Sequence, residues 1–186
     1  DDVVSIMTHS RTKIDVLFFT NLGKVYRIRG YQIPEGGRTG KGLPVVNLLK
    51  LGEGERVLSI ISATDFLTAC TLLSTYQKGG TVSCKKKDVL NLTLDEYQKY
   101  ADDLTNGFVE AEKILQEERI FSSKDLPYST QFIPLAVLCT ILSKNNQIKT
   151  TTIKNKIKQW YWCGVFGEMY GSANETRYVL DVVGVM

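Results

Sequence analysis

The feature that most constrains the fold of this chain is a change in hydrophobic period near residue 63. Before this point polar and apolar residues alternate, so that Val25, Arg27 and Arg29 share one side of a predicted strand. After it, apolar residues recur at the spacing of one helix face; the first such run is Phe66, Ala69, Cys70, Leu73 and Tyr76. We therefore predict an α+β chain, with an N-terminal antiparallel β segment over 1–63 and an all-α segment over 64–186.

The β segment is predicted to contain a hairpin and two further strands. Gly23 lies between two β-rich runs and can take the positive φ that a tight turn requires. A second turn is predicted over 52–55, where glycine and glutamate alternate. The predicted strands are 16–20, 24–29, 45–49 and 57–61.

The helical segment carries clear start and stop signals. Gly79 and Gly80 end the first predicted helix. Thr93 and Glu96 have the spacing of a capping box, which predicts a helix through Leu104. A separate helix is predicted over 108–115. Pro134 is predicted to begin a helix that ends at Ser143, and the last predicted helix covers 153–164.

The charge of the chain is concentrated in its first third. The whole chain has a net charge of +3, and residues 1–63 alone, with nine basic and six acidic groups, account for all of it. Basic side chains beside a glycine-rich loop can contact phosphates, because small residues let the backbone approach closely. Charge alone favours a plain solvated face over a phosphate-binding one, and both interpretations stay open at this point. The candidate DNA-binding residues are Lys24, Arg27, Arg29, Arg38 and Lys41.

The amino-acid sequence of this segment resembles that of a known family. Residues 17–27, LFFTNLGKVYR, resemble the C-terminal β-pinwheel of type IIA topoisomerase A subunits, the DNA gyrase type or its topoisomerase IV cousin; 31–35, 38–42 and 46–49 extend the match in order. The resemblance implies a partial pinwheel blade whose basic rim contacts double-stranded DNA as part of a gyrase-like complex. The glycine- and arginine-rich box typical of gyrase is missing, and the family's catalytic tyrosine belongs to another domain. The resemblance therefore implies DNA contact without strand cleavage.

The second segment resembles a different family. Residues 160–172, WYWCGVFGEMYGS, and 174–178, NETRY, resemble a segment of the GmrSD-type restriction enzyme family, and 82–85 and 126–131 match it upstream. That family couples a ParB/sulfiredoxin-like nucleotide-hydrolysing domain to an HNH nuclease domain. Because the motifs of both domains are missing here, the resemblance implies only a helical scaffold. By physics alone, the aromatic run is a core helix that leads into a glycine turn.

Few residues are candidates for catalysis or metal binding. The four cysteines are too far apart in sequence for a zinc site, and we expect reduced, mostly buried thiols. His9 is the only histidine and is expected at the surface. A basic run over 85–87 is expected to be a solvated turn, and Glu168 and Glu175 are expected to have structural or ion-pair roles. We predict no catalytic residue, no cofactor and no membrane partner.

These observations predict a non-catalytic, cytoplasmic, DNA-binding fragment of a topoisomerase joined to a helical restriction-family fragment. The alternative is a fragment of a nucleotide-dependent modified-DNA restriction endonuclease. The charge pattern favours the first function, because it agrees with what that resemblance implies. The chain starts at Asp1, and no linker separates the two segments. Our hypothesis is therefore a chimeric fragment whose two halves did not evolve to pack against each other. Amplification across codons 55–75 from source DNA tests this hypothesis.

Overall fold

The computed structural model of the chain describes residues 13–20, 22, 24–35, 44–120, 125–172 and 174–185. Across these residues a small antiparallel sheet precedes a set of helices, which confirms the predicted α+β class. The strands are β1 Asp15–Thr20, β2 Val25–Arg29 and β3 Val57–Ser62. The helices are α1 Val45–Leu48, α2 Ala63–Gln77, α3 Lys86–Leu90, α4 Leu94–Glu117, α5 Phe132–Lys144, α6 Thr151–Phe166 and α7 Asn174–Val185, with short 3-10 helices at Gly30–Gln32 and Ser129–Gln131.

The sheet has the order β2-β1-β3, and both strand pairs are antiparallel. The predicted hairpin of β1 and β2 is confirmed, with Leu17 opposite Arg27. On its other side Leu17 lies opposite Ile61 of β3. The central strand is buried on both faces because its residues alternate between two apolar clusters.

The prediction of a strand over 45–49 was wrong, since this segment forms the single turn of α1. Pro44 precedes the turn, and its carbonyl accepts the N–H of Asn47 at 2.9 Å. The N–H of Leu49 then donates to the carbonyl of Val45 at 2.8 Å. Short apolar runs do not distinguish strand from helix by period. Here the turn places Leu49, which is 2% exposed, in the smaller apolar cluster.

The first predicted helix and the capping box are confirmed. Ser62 caps α2 by accepting the N–H of Asp65 at 3.2 Å. At the start of α4, Thr93 Oγ1 accepts the N–H of Glu96 at 3.3 Å, and Glu96 Oε2 accepts the N–H of Thr93 at 2.9 Å. These contacts satisfy backbone donors that a helix start leaves free.

Three helix predictions need correction. The two helices expected over 93–104 and 108–115 are one helix of 24 residues, because Gly107 lies inside α4 without ending it. The helix through Ser143 begins at Phe132, so that Pro134 lies within its first turn. Helix α7 was not predicted, and α6 is therefore not the last helix of the chain.

One face of the sheet packs directly on the helices. Phe19 of β1 is fully buried, with ring centroids 5.6 Å from Phe66 of α2 and 6.0 Å from Phe108 of α4. Leu17 and Ile61 belong to the same apolar cluster as the helices. This shared core is a finding that the hypothesis of two unmatched fragments did not anticipate. The domain division at residue 63 stays a prediction.

The contact between α4 and α5 provides a stability prediction. A methyl group on Gly107 would overlap Thr140 Oγ1 and lie 2.6 Å from the carbonyl oxygen of Ala136. We expect Gly107→Ala to lower the free energy of unfolding by about 1–3 kcal/mol, because neither α5 atom can move away freely. Urea titration followed by circular dichroism measures this change. Gly184→Ala in α7, where the new methyl meets nothing within 4 Å, is the control; an equal loss in both variants would contradict the prediction.

Candidate nucleic-acid interface

The two arginines of β2 lie together at the edge of the sheet. Arg27 and Arg29 alternate with inward residues of the strand, and their side chains are 74% and 57% exposed. Cross-strand partners in a sheet share a face, and Arg27 lies opposite Leu17. The arginines therefore extend from the same face that packs on the helices, at an edge where they remain in solvent. Burial raises the pKa of Tyr97 in α4. The positive charge of Arg27 acts on that phenol in the opposite direction and lowers its pKa.

A carboxylate on the neighbouring strand contacts both arginines. Asp15, the first residue of β1, lies opposite Arg29 in the ladder. Its Oδ1 is 3.1 Å from Arg29 Nε, and its Oδ2 is 3.9 Å from Arg27 Nε. The Asp15 side chain is 20% exposed, so this cross-strand cluster is only partly screened by water. The sequence of β1 does not indicate this pairing, because it depends on the register between β1 and β2.

Lys24 faces the other side of the sheet and binds a buried carboxylate. Its Nζ lies 3.2 Å from Glu55 Oε2, and the Glu55 side chain is fully buried. Glu55 also accepts hydrogen bonds from the N–H of Gly52 at 2.7 Å, from Thr20 Oγ1 at 2.7 Å and from Tyr26 OH at 3.0 Å. The Gly52 N–H, followed by Thr20, Tyr26 and Lys24, lowers the pKa of Glu55 to about 2. The charge of Lys24 is thus largely balanced within the protein.

Glu55 predicts an acid-dependent loss of stability. Its folded pKa of about 2 lies below its ordinary value of 4.5, so between these values the unfolded chain binds more protons than the folded chain. The stability that Glu55 contributes is therefore complete above pH 4.5 and is lost as the pH falls toward 2. We expect Glu55→Gln to lower the melting temperature at pH 7 and to flatten its fall in acid.

Thermal unfolding at a series of pH values measures both effects. Glu53→Gln, an exposed residue of the same turn, is the matched control and should change neither. The pKa of Glu96 is also lowered to about 2, chiefly by Lys78. Part of the fall of the melting temperature in acid therefore remains in both variants. Identical pH curves for Glu55→Gln and wild type would contradict the assigned role of Glu55.

The structure thus separates the predicted site residues. It brings Arg27 and Arg29 together and places Lys24 on the opposite face. Arg38 and Lys41 lie outside the described residues, and so does His9. Sequence reasoning missed Asp15 and Glu55. Glu55 could not be distinguished from Glu53 by sequence, because both occupy the same glycine-rich turn.

The cysteines behave as predicted. All four thiols are free, and Cys70, Cys84 and Cys139 are buried while Cys163 is exposed. Burial raises the pKa of Cys70 to about 11 and of Cys84 to about 12, and it raises the pKa of Cys139 as well. These three thiols are therefore poor nucleophiles at neutral pH. No group of metal-ligating side chains occurs within the described ranges.

Two minor predictions can also be compared with the structure. Glu168 follows α6 with a φ of 52°, whereas Glu175 lies in α7, so the two carboxylates do not share a helix. The basic run over 85–87 is exposed, as expected, but it is not a simple turn. Lys85 lies at the N-cap position of α3 without a side-chain cap hydrogen bond, and Lys86 and Lys87 are the first two residues of the helix.

In the helical segment, the distinctive aromatic motif assembles around a single buried aspartate. Asp181 of α7 is 2% exposed. It accepts hydrogen bonds from Trp160 Nε1 at 3.1 Å, from Arg177 Nε at 3.1 Å and from Tyr170 OH. Burial, followed by the hydrogen bond to Asp181, raises the pKa of Tyr170. Sequence reasoning singled out the donors but missed the acceptor, because α7 itself was not predicted.

The described helices include none that is long and apolar enough to cross a membrane.

The segment that contains this sheet is similar to a known family. Residues 15–64 match the model of the DNA gyrase C-terminal domain family, a beta-propeller. The range begins at β1 and ends just after β3, so it covers the whole sheet. No solved structure matches the chain.

Curated relatives that match this segment include A subunits of DNA gyrase. The one from Streptococcus pyogenes serotype M1 is 54% identical over 69 residues, 37% of this chain and 8% of the relative. The one from Streptococcus pneumoniae serotype 4 is 56% identical over 62 residues, 33% of this chain and 8% of the relative. The Mycoplasma pneumoniae protein is 45% identical over 82 residues, 44% of this chain and 10% of the relative. The match thus spans a tenth or less of these relatives, and the comparisons do not support the restriction-enzyme resemblance.

Proposed function

We propose that the segment around residues 15–64 binds double-stranded DNA without regard to sequence and does not cleave it. The observation that carries this proposal is the pair of exposed arginines, Arg27 and Arg29, on one edge strand of a gyrase-like sheet. Guanidinium groups bind phosphate oxygens, and contacts of this kind position a protein on the duplex without reading its bases.

The predicted site residues have unequal roles in this proposal. Arg27 and Arg29, together with Arg38 and Lys41 of the glycine-rich loop, supply the phosphate contacts. Lys24 contributes little, because the buried carboxylate of Glu55 holds its ammonium group on the opposite face. Each phosphate contact releases counterions from DNA, so binding should weaken steeply with added salt.

Fluorescence anisotropy with a labelled duplex of mixed sequence, measured over a salt series, tests the proposal. We expect the combined alanine variant at Arg27, Arg29, Arg38 and Lys41 to bind about 100-fold more weakly and to lower the salt slope by about 3–4. Lys24→Ala should weaken binding by less than about threefold.

The matched control removes four positive charges from the helical segment, by alanine at the exposed residues Lys85, Lys86, Lys87 and Lys156. This control should keep most of the affinity. An equal loss in both fourfold variants would show that binding follows net charge alone, and would contradict the proposed interface.

We further propose that this segment acts within the remainder of a gyrase-like complex in the cytoplasm. The support is that the match covers about a tenth or less of each relative, so the matching segment of those proteins is a small part of a larger subunit. Co-purification of the tagged chain with a DNA gyrase whose A subunits lack their own matching segment tests this partner. Failure to recover that gyrase would leave DNA binding as the whole function.

For residues 64–186 we propose the role of a structural scaffold related to restriction enzymes. The observation in its favour is that the resembling residues Trp160, Tyr170 and Arg177 meet at Asp181 in one buried network. A scaffold binds no nucleotide, so ATP, GTP and modified DNA should leave the melting temperature unchanged. A rise with any nucleotide would favour the alternative, a nucleotide-dependent restriction fragment.

A further inference from the structure

We propose that Asp15 is an internal competitor of DNA phosphate at the arginine pair, so that it sets the affinity of the interface. This inference rests on the proposed DNA-binding function and assigns a determinant of its strength. Arg27 and Arg29 are the only described groups to which Asp15 is ion-paired.

The carboxylate of Asp15 lies within ion-pair distance of both guanidinium groups, and its Oδ1 is buried without a hydrogen-bond partner. Each carboxylate oxygen of Asp15 faces a different guanidinium group, with Oδ1 at 3.1 Å from Arg29 and Oδ2 at 3.9 Å from Arg27. A phosphate offers the same guanidinium groups a comparable set of negatively charged oxygens. Asp15 and a phosphate therefore require the same donors.

The carboxylate is fixed, whereas the arginines are free to move. Asp15 begins β1, and the next four residues, Val16 to Phe19, are all buried, so the backbone at Asp15 is tied to the core. The arginine side chains are mostly in solvent and can rotate toward a ligand. DNA binding then exchanges Arg–Asp15 contacts for Arg–phosphate contacts, and Asp15 is left facing the polyanion.

Removing the competing charge should strengthen binding. Exposed ion pairs are weak, so we expect Asp15→Asn to lower the dissociation constant by about threefold to fivefold. The salt slope should stay nearly unchanged, because the same two arginines contact phosphate in both chains and only the competing carboxylate is removed. Glu53→Gln removes the same charge from an exposed residue outside the arginine cluster, and should change the affinity by less than about twofold.

A double-mutant cycle identifies the arginine. In an Arg29→Ala background, Asp15→Asn should lose most of its effect, because the nearer partner is gone. As a measurement that needs no variant, the carboxyl carbon-13 resonance of Asp15 in the wild-type chain should shift when the duplex is added. Unfolding midpoints establish that each variant is folded.

The outcomes separate this inference from the proposed function. If the wild-type chain binds DNA, but Asp15→Asn binds equally or more weakly and the Asp15 resonance stays still, the inference is overturned and DNA binding stands. If only Asp15→Asn binds, the inference is supported and the function proposed for the wild-type chain is overturned. If neither chain binds, both are overturned.

Discussion

Replacing Phe19 by alanine is expected to lower the free energy of unfolding by about 3–5 kcal/mol. Phe19 is fully buried on the helix-facing side of β1, where its ring packs against the rings of Phe66 and Phe108. The substitution removes a large apolar side chain and leaves a cavity that the strand and the two helices cannot both close. The loss should therefore destabilise the sheet and the helices together.

The two tryptophans of the chain make this expectation measurable. Trp160 and Trp162 both lie on α6, outside the sheet, so their fluorescence reports on the helical segment. If the sheet and helices unfold as one unit, Phe19→Ala lowers the urea midpoint of the tryptophan signal as much as that of circular dichroism. Tyr31→Ala, at an aromatic residue that is 66% exposed beyond β2, is the control and should move neither midpoint.

The same experiment decides how the chain is divided. Two independent domains meeting at residue 63 would give a tryptophan transition that Phe19→Ala does not shift. A coincident shift would instead show that residues of both segments stabilise one cooperative core. It would also make the hypothesis of halves that did not evolve to pack hard to sustain.

The sequence could predict the elements whose signals are local. The β1–β2 hairpin follows from alternation and a turn, and the start of α4 follows from the reciprocal bonds of Thr93 and Glu96. The predicted boundary between residues 104 and 108 was wrong, because the chain stays helical through Gly107. A glycine inside a helical pattern commonly suggests an end, but here it allows α5 to approach α4 closely.

The candidate site was only partly predictable, because its partners are distant in sequence. Alternation placed Arg27 and Arg29 on one side of a strand, as observed. That Asp15 opposes them depends on the register, and that Glu55 holds Lys24 depends on a turn 31 residues away. Counting charges gave Lys24 the same expected role in DNA binding as the arginines. Its ion pair with buried Glu55 makes its charge less available to DNA.

The position of the helices relative to the sheet also could not be derived from resemblance. In β-propellers the blades are sheets arranged around a central channel. Here α2 and α4 cover the face of the sheet that carries Phe19. This arrangement arises from the contact between two segments of different period, and neither segment alone contains a signal for it.

Replacing Asp181 by alanine is also expected to lower the free energy of unfolding by about 3–5 kcal/mol. Asp181 is buried and accepts hydrogen bonds from four donor groups of three residues, so its loss leaves the Arg177 charge and the polar atoms of Trp160 and Tyr170 without their acceptor. Tyr170 is 3% exposed, so its hydroxyl cannot be rehydrated without opening the surrounding core. Urea titration measures the loss, and Asp102→Ala at an exposed position of α4 is the control.

A second pair of variants shows whether the cost comes from the network itself. Asp181→Asn keeps the size and one acceptor, so it should lose less than Asp181→Ala. Replacing Arg177 and Asp181 together by Met and Leu removes both charges, and it should cost less than Asp181→Ala alone because no charge is left without its partner. If Asp181→Ala instead lies within about 0.5 kcal/mol of wild type, the network contributes no stability, and its donor groups must bind water. The aromatic motif of the helical segment would then need an explanation other than the fold.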